Sequence, residues 1–391
     1  MMINLEQEID KIKDELILLR KDFHRFPEVG FKEYRTAEMV AEYMKELGLE
    51  VQTGIGETGV VGLLRGKKKG STLGIRACLD ALAMEECSGV DYVSENKGVF
   101  HGCGHDGNMV MVLGAAKILS SYKEELRGDV KFIFQPSEEE TGGAAAFIQS
   151  GVLKNPDVGA IVHIHNWHGL KEGVMGVKAG PVMASSDVFK LEIIGKPGHG
   201  AWPHLAVDPV VIAADVISAI QNIVSREIDP LKPALITIGK VYGGTAVNII
   251  PEKITIEGTV RAYHQEIRDF IADRIEQIAR GITQSARASF NLAYNRIMPP
   301  VNNDPEFTAK VSKILKDSFE PDLVTDDIPS EMGCEEFALF QQEIPGLFMF
   351  LGNDKEGEPI VPIHDPRYIF NDEILTVAVK ALCEIALKWN E

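Results

Sequence analysis

The segment His101-Gly-Cys-Gly-His-Asp106 sets a thiol, Cys103, two residues from an imidazole, His105, within a glycine-flanked turn. Both side chains are electron-pair donors of the kind that bind borderline-soft divalent metals, and this spacing lets both reach one ion. Further along, Phe134-Gln-Pro-Ser-Glu-Glu-Glu140 ends an apolar run in carboxylates, and Pro136 with Ser137 stops the strand so that Glu138 and Glu139 fall at its carboxyl end. Ile161-Val-His-Ile-His-Asn-Trp-His168 again follows a short apolar strand. Strand alternation puts His163 and His165 on one side, so spacing alone admits either as a ligand. Asp80 closes Gly74-Ile-Arg-Ala-Cys-Leu-Asp80, and His364-Asp-Pro follows the apolar run Leu347 to Gly352. Four strand ends therefore supply chemistry at the rim where open α/β sheets place ligands. Each piece has a bland reading: an idle turn cysteine, a solvated acidic loop, a packed histidine. Their joint occurrence favours a metal.

Adjacent carboxylates suit metal-assisted hydrolysis, where one binds the ion and its neighbour takes a proton from water whose pKa the metal lowers from about 15.7 towards ~7. Such a site needs no serine or thiol nucleophile. Cys103 as a catalytic thiol beside a histidine is the weaker alternative, because a thiolate among several ligands is metallated. A soft thiolate with imidazoles and a carboxylate suits zinc, cobalt, nickel or manganese, and spacing does not separate them.

The elements that must position these groups follow from apolar periodicity. Ile9, Ile12, Leu16, Leu19 and Phe23 step by three and four along a helix, and a second helix runs from Thr36, read as its N-cap, to Gly48. Strands are expected at Gly59–Leu64, Thr72–Cys78, Val130–Gln135 and Gly159–Ile164, with a helix from about Asn108 to Glu125. From 188 to 295 the strands instead alternate, as Phe189, Leu191 and Ile193 against Lys190 and Glu192, which suits a sheet covered on one face. The order there is strand 188–194, helix 208–226 opened by Asp208-Pro209, strand 234–241, strand 253–262, helix 264–286 and strand 288–295, a ferredoxin-like β-α-β-β-α-β pattern. Helical and strand segments resume after 300. The expected class is thus α/β, with a discontinuous catalytic domain at 1–185 and 298–391 and an inserted domain at 186–297.

The 391 residues exceed what one hydrophobic core usually serves. A net charge of −18 argues against nucleic acid and against an anionic membrane surface as partners. Charged residues break every apolar run in Met1 to Lys21, and Val210 to Ala214 is far below the ~20 residues that span a bilayer. Five cysteines at scattered positions fit a reducing compartment, hence a cytoplasmic protein, better than a disulfide framework.

Taken together, His24-Arg-Phe-Pro-Glu28, Arg76-Ala-Cys-Leu-Asp-Ala-Leu82, His101 to Asp106, Gln135-Pro-Ser-Glu-Glu139, Gly198-His-Gly-Ala-Trp-Pro-His204, Asn248-Ile-Ile-Pro251, Gly258-Thr-Val-Arg261, Glu335-Glu-Phe337 and His364-Asp-Pro366 resemble the aminoacylase and carboxypeptidase-type metallohydrolases. The nearest branch holds hippurate hydrolases, auxin-conjugate hydrolases and N-acetyl-diaminopimelate deacetylases, and the likeness covers essentially the whole chain. It implies a zinc-peptidase-like catalytic domain with a mostly parallel sheet, plus a lid or dimerisation domain. It further implies two divalent ions (manganese, zinc, cobalt or nickel) on Cys103, His105, Glu139, His165 and His364, with Glu138 as general base and later acid. Asp80 would orient a ligand, His199 would stabilise the oxyanion, and Asn248 with Arg261 would hold the carboxylate of a small N-acylated amino acid. His199 can come from a partner subunit in this family, so a homodimer or higher homo-oligomer is expected. Several positions depart from the family pattern: Cys78 replaces a usual aspartate, Ala83 a proline, Asn108 a histidine, and His163 and His168 a glycine and a proline. A dipeptidase or aminopeptidase would differ only in the amide cut. An inactive, metal-stabilised binding protein is the reading from another class, weakened by retention of Glu138 and every expected ligand.

Overall fold

A computed structural model describes residues 4–391, so the first three residues of the amino-terminal segment considered above lie outside it. The chain forms two compact units, one of residues 1–180, 303–329 and 339–391 and the other of 181–302 and 330–338. Residues 330–338 thus group with the second unit, although the sequence reading put them in the first.

The first unit is built on an eight-stranded sheet in the order Glu50–Ile55, Gly59–Leu64, Val130–Gln135, Thr72–Cys78, Val158–Lys171, Gly346–Asp354, Met175–Gly176, Val324–Thr325. The four strands from Val130–Gln135 to Gly346–Asp354 run parallel, while the pairings flanking them are antiparallel. Val130–Gln135 and Thr72–Cys78 are buried along their whole length. Burial on both faces is why these strands read as mainly apolar, with one buried charge in each, Lys131 and Arg76. The helix His105–Ser121 packs against Lys13–Arg25 and Ile374–Lys388, and its residues are buried on nearly every side.

Three local expectations are corrected. The amphipathic stretch from Ile9 to Phe23 is two helices, Leu5–Asp10 and Lys13–Arg25, offset at Lys11 and Ile12 while their apolar residues still face the core. Thr36 is not an N-cap: its helix begins at Tyr34, and the Glu28 carboxylate accepts the free first-turn N–H groups of Arg35 (3.2 Å) and Thr36 (2.8 Å). The strand carrying His163 and His165 does not stop near 164 but continues to Lys171. Its pairing with Thr72–Cys78 ends at Arg76 and His163, so His165 still emerges at that rim.

In the second unit the sheet order is Ala234–Gly243, Lys253–Ala262, Ser186–Ile194, Ser289–Met298, all antiparallel, the ferredoxin-like arrangement. Asp208 caps the helix Pro209–Asn222 by accepting the Val210 N–H at 2.9 Å. Phe189, Leu191 and Ile193 from the sheet pack with Ile212, Val216 and Ile220 of this helix and Ile271 and Ile275 of Gln265–Ser285. The segment Pro209–Glu227 is long and apolar enough to cross a membrane by composition alone. It spends one face on this core.

An ion network locks the entry to the helix His105–Ser121. The Asp106 carboxylate accepts from Arg20 Nη1 at 2.9 Å and from His24 Nδ1 at 2.8 Å, His24 Nε2 lies 3.1 Å from Glu86, and Arg20 also pairs with Asp372. With an acceptor on each ring nitrogen, only the doubly protonated imidazole satisfies both. Burial alone would depress the His24 pKa, but the bonds to Asp106 and Glu86 outweigh it and raise it to about 9. Because the folded pKa exceeds the unfolded value near 6.5, this contribution is complete below pH ~6.5 and is lost as pH rises through about 9. Urea unfolding should therefore show the gap between wild type and His24→Gln shrinking from pH 6.5 to pH 9 by on the order of 3 kcal/mol. A pH-independent gap would contradict an imidazolium at His24.

Candidate active site

The turn Gly102–Gly104 delivers two donors because Gly104 adopts φ 80°, which a side chain rarely tolerates and which here would also drive a Cβ to 2.5 Å from Asn166 Oδ1. The helix then begins at His105 itself, three residues before the expected Asn108. His105 Nδ1 bonds the Asp80 carbonyl at 2.8 Å and lies 3.6 Å from Asp80 Oδ1, which aims Nε2 at Glu139 Oε1, 4.0 Å away. Asp80, fully buried, accepts the Glu139 N–H at 2.8 Å on its other oxygen. Asp80 thus orients a histidine through its backbone carbonyl and a glutamate through its carboxylate.

His165 Nδ1 is engaged with the Asn166 carbonyl at 2.7 Å, which presents Nε2 to Cys103 Sγ at 3.6 Å. His163, on the same side of the strand, has its Nδ1 on the Arg76 carbonyl at 2.7 Å and its ring against Phe348. His364, at φ 67°, is fixed by its N–H to the Gly102 carbonyl at 2.8 Å, and its Nε2 lies 3.4 Å from Glu139 Oε1.

The ligand atoms of Cys103, His105 and His165 lie within 4.8 Å of one another, as do those of Cys103, Glu139 and His364, so two donor triads share Cys103. A tetrahedral ion with metal–sulfur and metal–nitrogen bonds of about 2.3 and 2.05 Å separates those ligands by ~3.6 Å, and nitrogen with oxygen by ~3.4 Å. The Cys103–His165 and His364–Glu139 spacings match these edges. Two buried polar atoms inside, His105 Nε2 and Glu139 Oε1, have no hydrogen-bond partner, a costly arrangement that a cation between the donors would relieve. The field agrees. Burial would depress the His105 pKa, yet Asp80 and Glu139 hold it at about 9, and Glu139 itself, despite burial, is pulled below the ordinary carboxylate range by His364 and His105. The residues present fit a pair of divalent ions.

Glu138, half-buried, groups with His105 and Glu139 within the same 4.8 Å and so stands beside both triads. Cys78 groups likewise with Asp80 and His105, which adds a soft donor to the rim. Asn108 accepts the Asn166 N–H at 3.3 Å, and His168 stacks on Trp167 with ring centroids 5.4 Å apart. Residues to which sequence reasoning gave no role hold the framework. Asn166 donates to the Cys103 carbonyl at 3.1 Å and to the buried Tyr368 hydroxyl at 2.7 Å, and Arg76 is fixed by Gln135 at 2.8 Å. Asn166 and Tyr368 are 202 residues apart, and no motif contained Tyr368.

In the second unit His199 and Asn248 are neighbours. The ribbon Gly198–His199 pairs with Ile249–Ile250, the Gly200 N–H meets the Asn248 carbonyl at 2.8 Å, and the exposed His199 ring lies against Trp202. Arg261 is not with them. It sits at the far end of Lys253–Ala262, about 26 Å along the strand from Lys253 at ~3.3 Å per residue, with Nη1 on the Val260 carbonyl.

Comparison with known proteins identifies the family. Residues 74–388 match the model of peptidase family M20/M25/M40. A Saccharolobus solfataricus protein named thermostable carboxypeptidase 2 is 37% identical over 99% of this chain and 98% of its own. An N-acetyl-L-cysteine deacetylase of Bacillus subtilis is 35% identical over 97% and 89%, and the hippurate hydrolase of Campylobacter jejuni is 36% identical over 99% and 100%. The crystal structure of a Bacillus subtilis dinuclear metal-binding peptidase of the M20 family superposes with TM-score 0.85 at 32% identity, covering 97% of this chain and 99% of that one. Family match, fold and converging donors together make this chain a member of peptidase family M20/M25/M40, a metal-binding hydrolase.

Proposed function

We propose that the protein hydrolyses N-acyl-amino acids, such as N-acetyl or N-aroyl compounds, to a carboxylic acid and a free amino acid. The observation that carries this reading is the pair of donor triads sharing Cys103 with Glu138 beside them. Cys103, His105, Glu139, His165 and His364 would hold two divalent ions, which lower the pKa of water and polarise a carbonyl. Glu138 takes a proton from the attacking water onto its carboxylate and returns it to the leaving nitrogen. Asp80 keeps His105 and Glu139 in register. His199 donates to the developing oxyanion, and Asn248 and Arg261 bind the substrate carboxylate, Arg261 through its planar fork. The deacetylase and hippurate hydrolase relatives support an acyl-amino acid substrate. The carboxypeptidase relative favours a second reading, cleavage of short peptides. Five free cysteines suit a cytoplasmic location. The distance along the sheet between Arg261 and the His199–Asn248 ribbon supports a homodimer in which a second copy supplies His199 together with its neighbour Asn248.

Enzyme stripped by chelator and refilled with manganese, zinc, cobalt or nickel should release free amino acid from N-acetyl or N-benzoyl substrates only when refilled. Release from dipeptides alone would favour the peptidase reading, and silence with every metal would favour a binding protein. Glu138→Gln should lower kcat by about 10²–10⁴-fold with metal content intact. Elemental analysis should find that Cys103→Ala loses both ions, whereas His364→Ala loses one; equal losses would refute the sharing of Cys103. Inactive Glu138→Gln and His199→Ala chains, unfolded and refolded together, should regain turnover that neither has alone, and failure to do so would argue against a second copy's contribution.

A further inference from the structure

Glu33 is fully buried at the start of the helix Tyr34–Glu46, and no function above uses it. Its Oε1 accepts the Ser137 N–H at 2.8 Å, and its Oε2 accepts the Thr58 hydroxyl at 2.5 Å. Acidic side chains are almost never fully buried without a strong reason. Burial pushes the Glu33 carboxyl above its ordinary range, against the pull of the bonds from Thr58 and Ser137.

Ser137 shows what that carboxylate holds. It is a buried non-glycine residue at φ 48°, a conformation that costs roughly 1–2 kcal/mol. It turns the chain sharply from the strand Val130–Gln135 into Glu138 and Glu139. Gly30 makes the turn possible, because a Cβ there would come within 2.5 Å of Ser137 Oγ. Two residues on, the Glu139 N–H is held by Asp80 at 2.8 Å. The backbone of Glu138 is therefore clamped on both sides, by Glu33 through residue 137 and by Asp80 through residue 139.

We propose that Glu33 is a positioning residue for catalysis, which fixes the left-handed Ser137 and thereby aims the Glu138 carboxylate. This rests on Glu138 as the proton carrier. A misplacement of about 1 Å costs on the order of 10²-fold in rate. Glu33→Ala should accordingly lower kcat about 10²-fold, with KM little changed and both metal ions retained. Glu33→Gln should recover most of that loss, since its amide oxygen still accepts from Ser137.

Adding Ser137→Gly to Glu33→Ala should restore about tenfold, because glycine adopts this φ freely, a rescue that a merely stabilising role would not produce. Gly30→Ala disturbs the same turn without touching a buried charge and should also depress kcat at unchanged metal content, so it serves if Glu33→Ala does not fold. Wild-type kcat in Glu33→Ala or Gly30→Ala overturns the inference. So does a loss of activity that tracks loss of metal and is not rescued by Ser137→Gly. If Glu138→Gln is itself active, the proton carrier is misassigned. If Glu138→Gln is dead while Glu33→Ala is unimpaired, only the positioning role fails.

Discussion

Five potential metal donors crowd together in the first unit. Carboxylates set among thiol and imidazole groups favour positive charge at their centre, and His105 Nε2 and Glu139 Oε1 are buried there without a hydrogen-bond partner. A loose scaffold would let these donors swing apart. The rest of the unit prevents it. Three donors are locked by a second bond from their own residue: His105 to the Asp80 carbonyl, His165 to the Asn166 carbonyl, and His364 through its N–H to Gly102. Because the first two bonds occupy Nδ1, they leave Nε2 turned inward.

That rigidity is inherited from the parallel sheet. Neighbouring strands lie ~4.8 Å apart, so side chains at the ends of adjacent strands fall within one metal's reach without long loops. Thr72–Cys78 leads into Asp80, Val130–Gln135 into Glu138 and Glu139, and Val158–Lys171 carries His165 just past the last pair it makes with Thr72–Cys78. The helix His105–Ser121 brings Cys103 and His105 to the same rim, and Asp106, immediately after the ligand, ties that helix to Arg20, His24 and Glu86. Stabilising charges and candidate metal donors are thus consecutive residues, and the helix Lys13–Arg25 supports the site through Asp106.

The second unit follows a different rule. Its strands alternate because helices cover one face only, and the alternation made the β-α-β-β-α-β order readable. Of its candidate substrate-contacting residues, His199 and Asn248 are exposed and Arg261 is half-buried. Their grouping, His199 beside Asn248 and Arg261 at the opposite end of a strand, follows from the ribbon that pairs Gly198–His199 with Ile249–Ile250.

The sequence by itself determined the class of fold, the positions of most core strands and the candidate donor residues. Strands buried on both faces are mainly apolar, and the chemistry sits at the polar punctuation near their ends. It also carried the family, because the motifs combine metal ligands with the turns that present them. Only tertiary structure decided which lone pairs meet. His163 and His165 are equivalent by alternation; the neighbouring strand stops pairing at His163, and the two Nδ1 atoms bond different backbone carbonyls. Glu33 lies 104 positions from Ser137, and Tyr368 lies 202 from Asn166. No local periodicity encodes such contacts, because they are set by how helices and strands stack once the apolar surfaces have been buried.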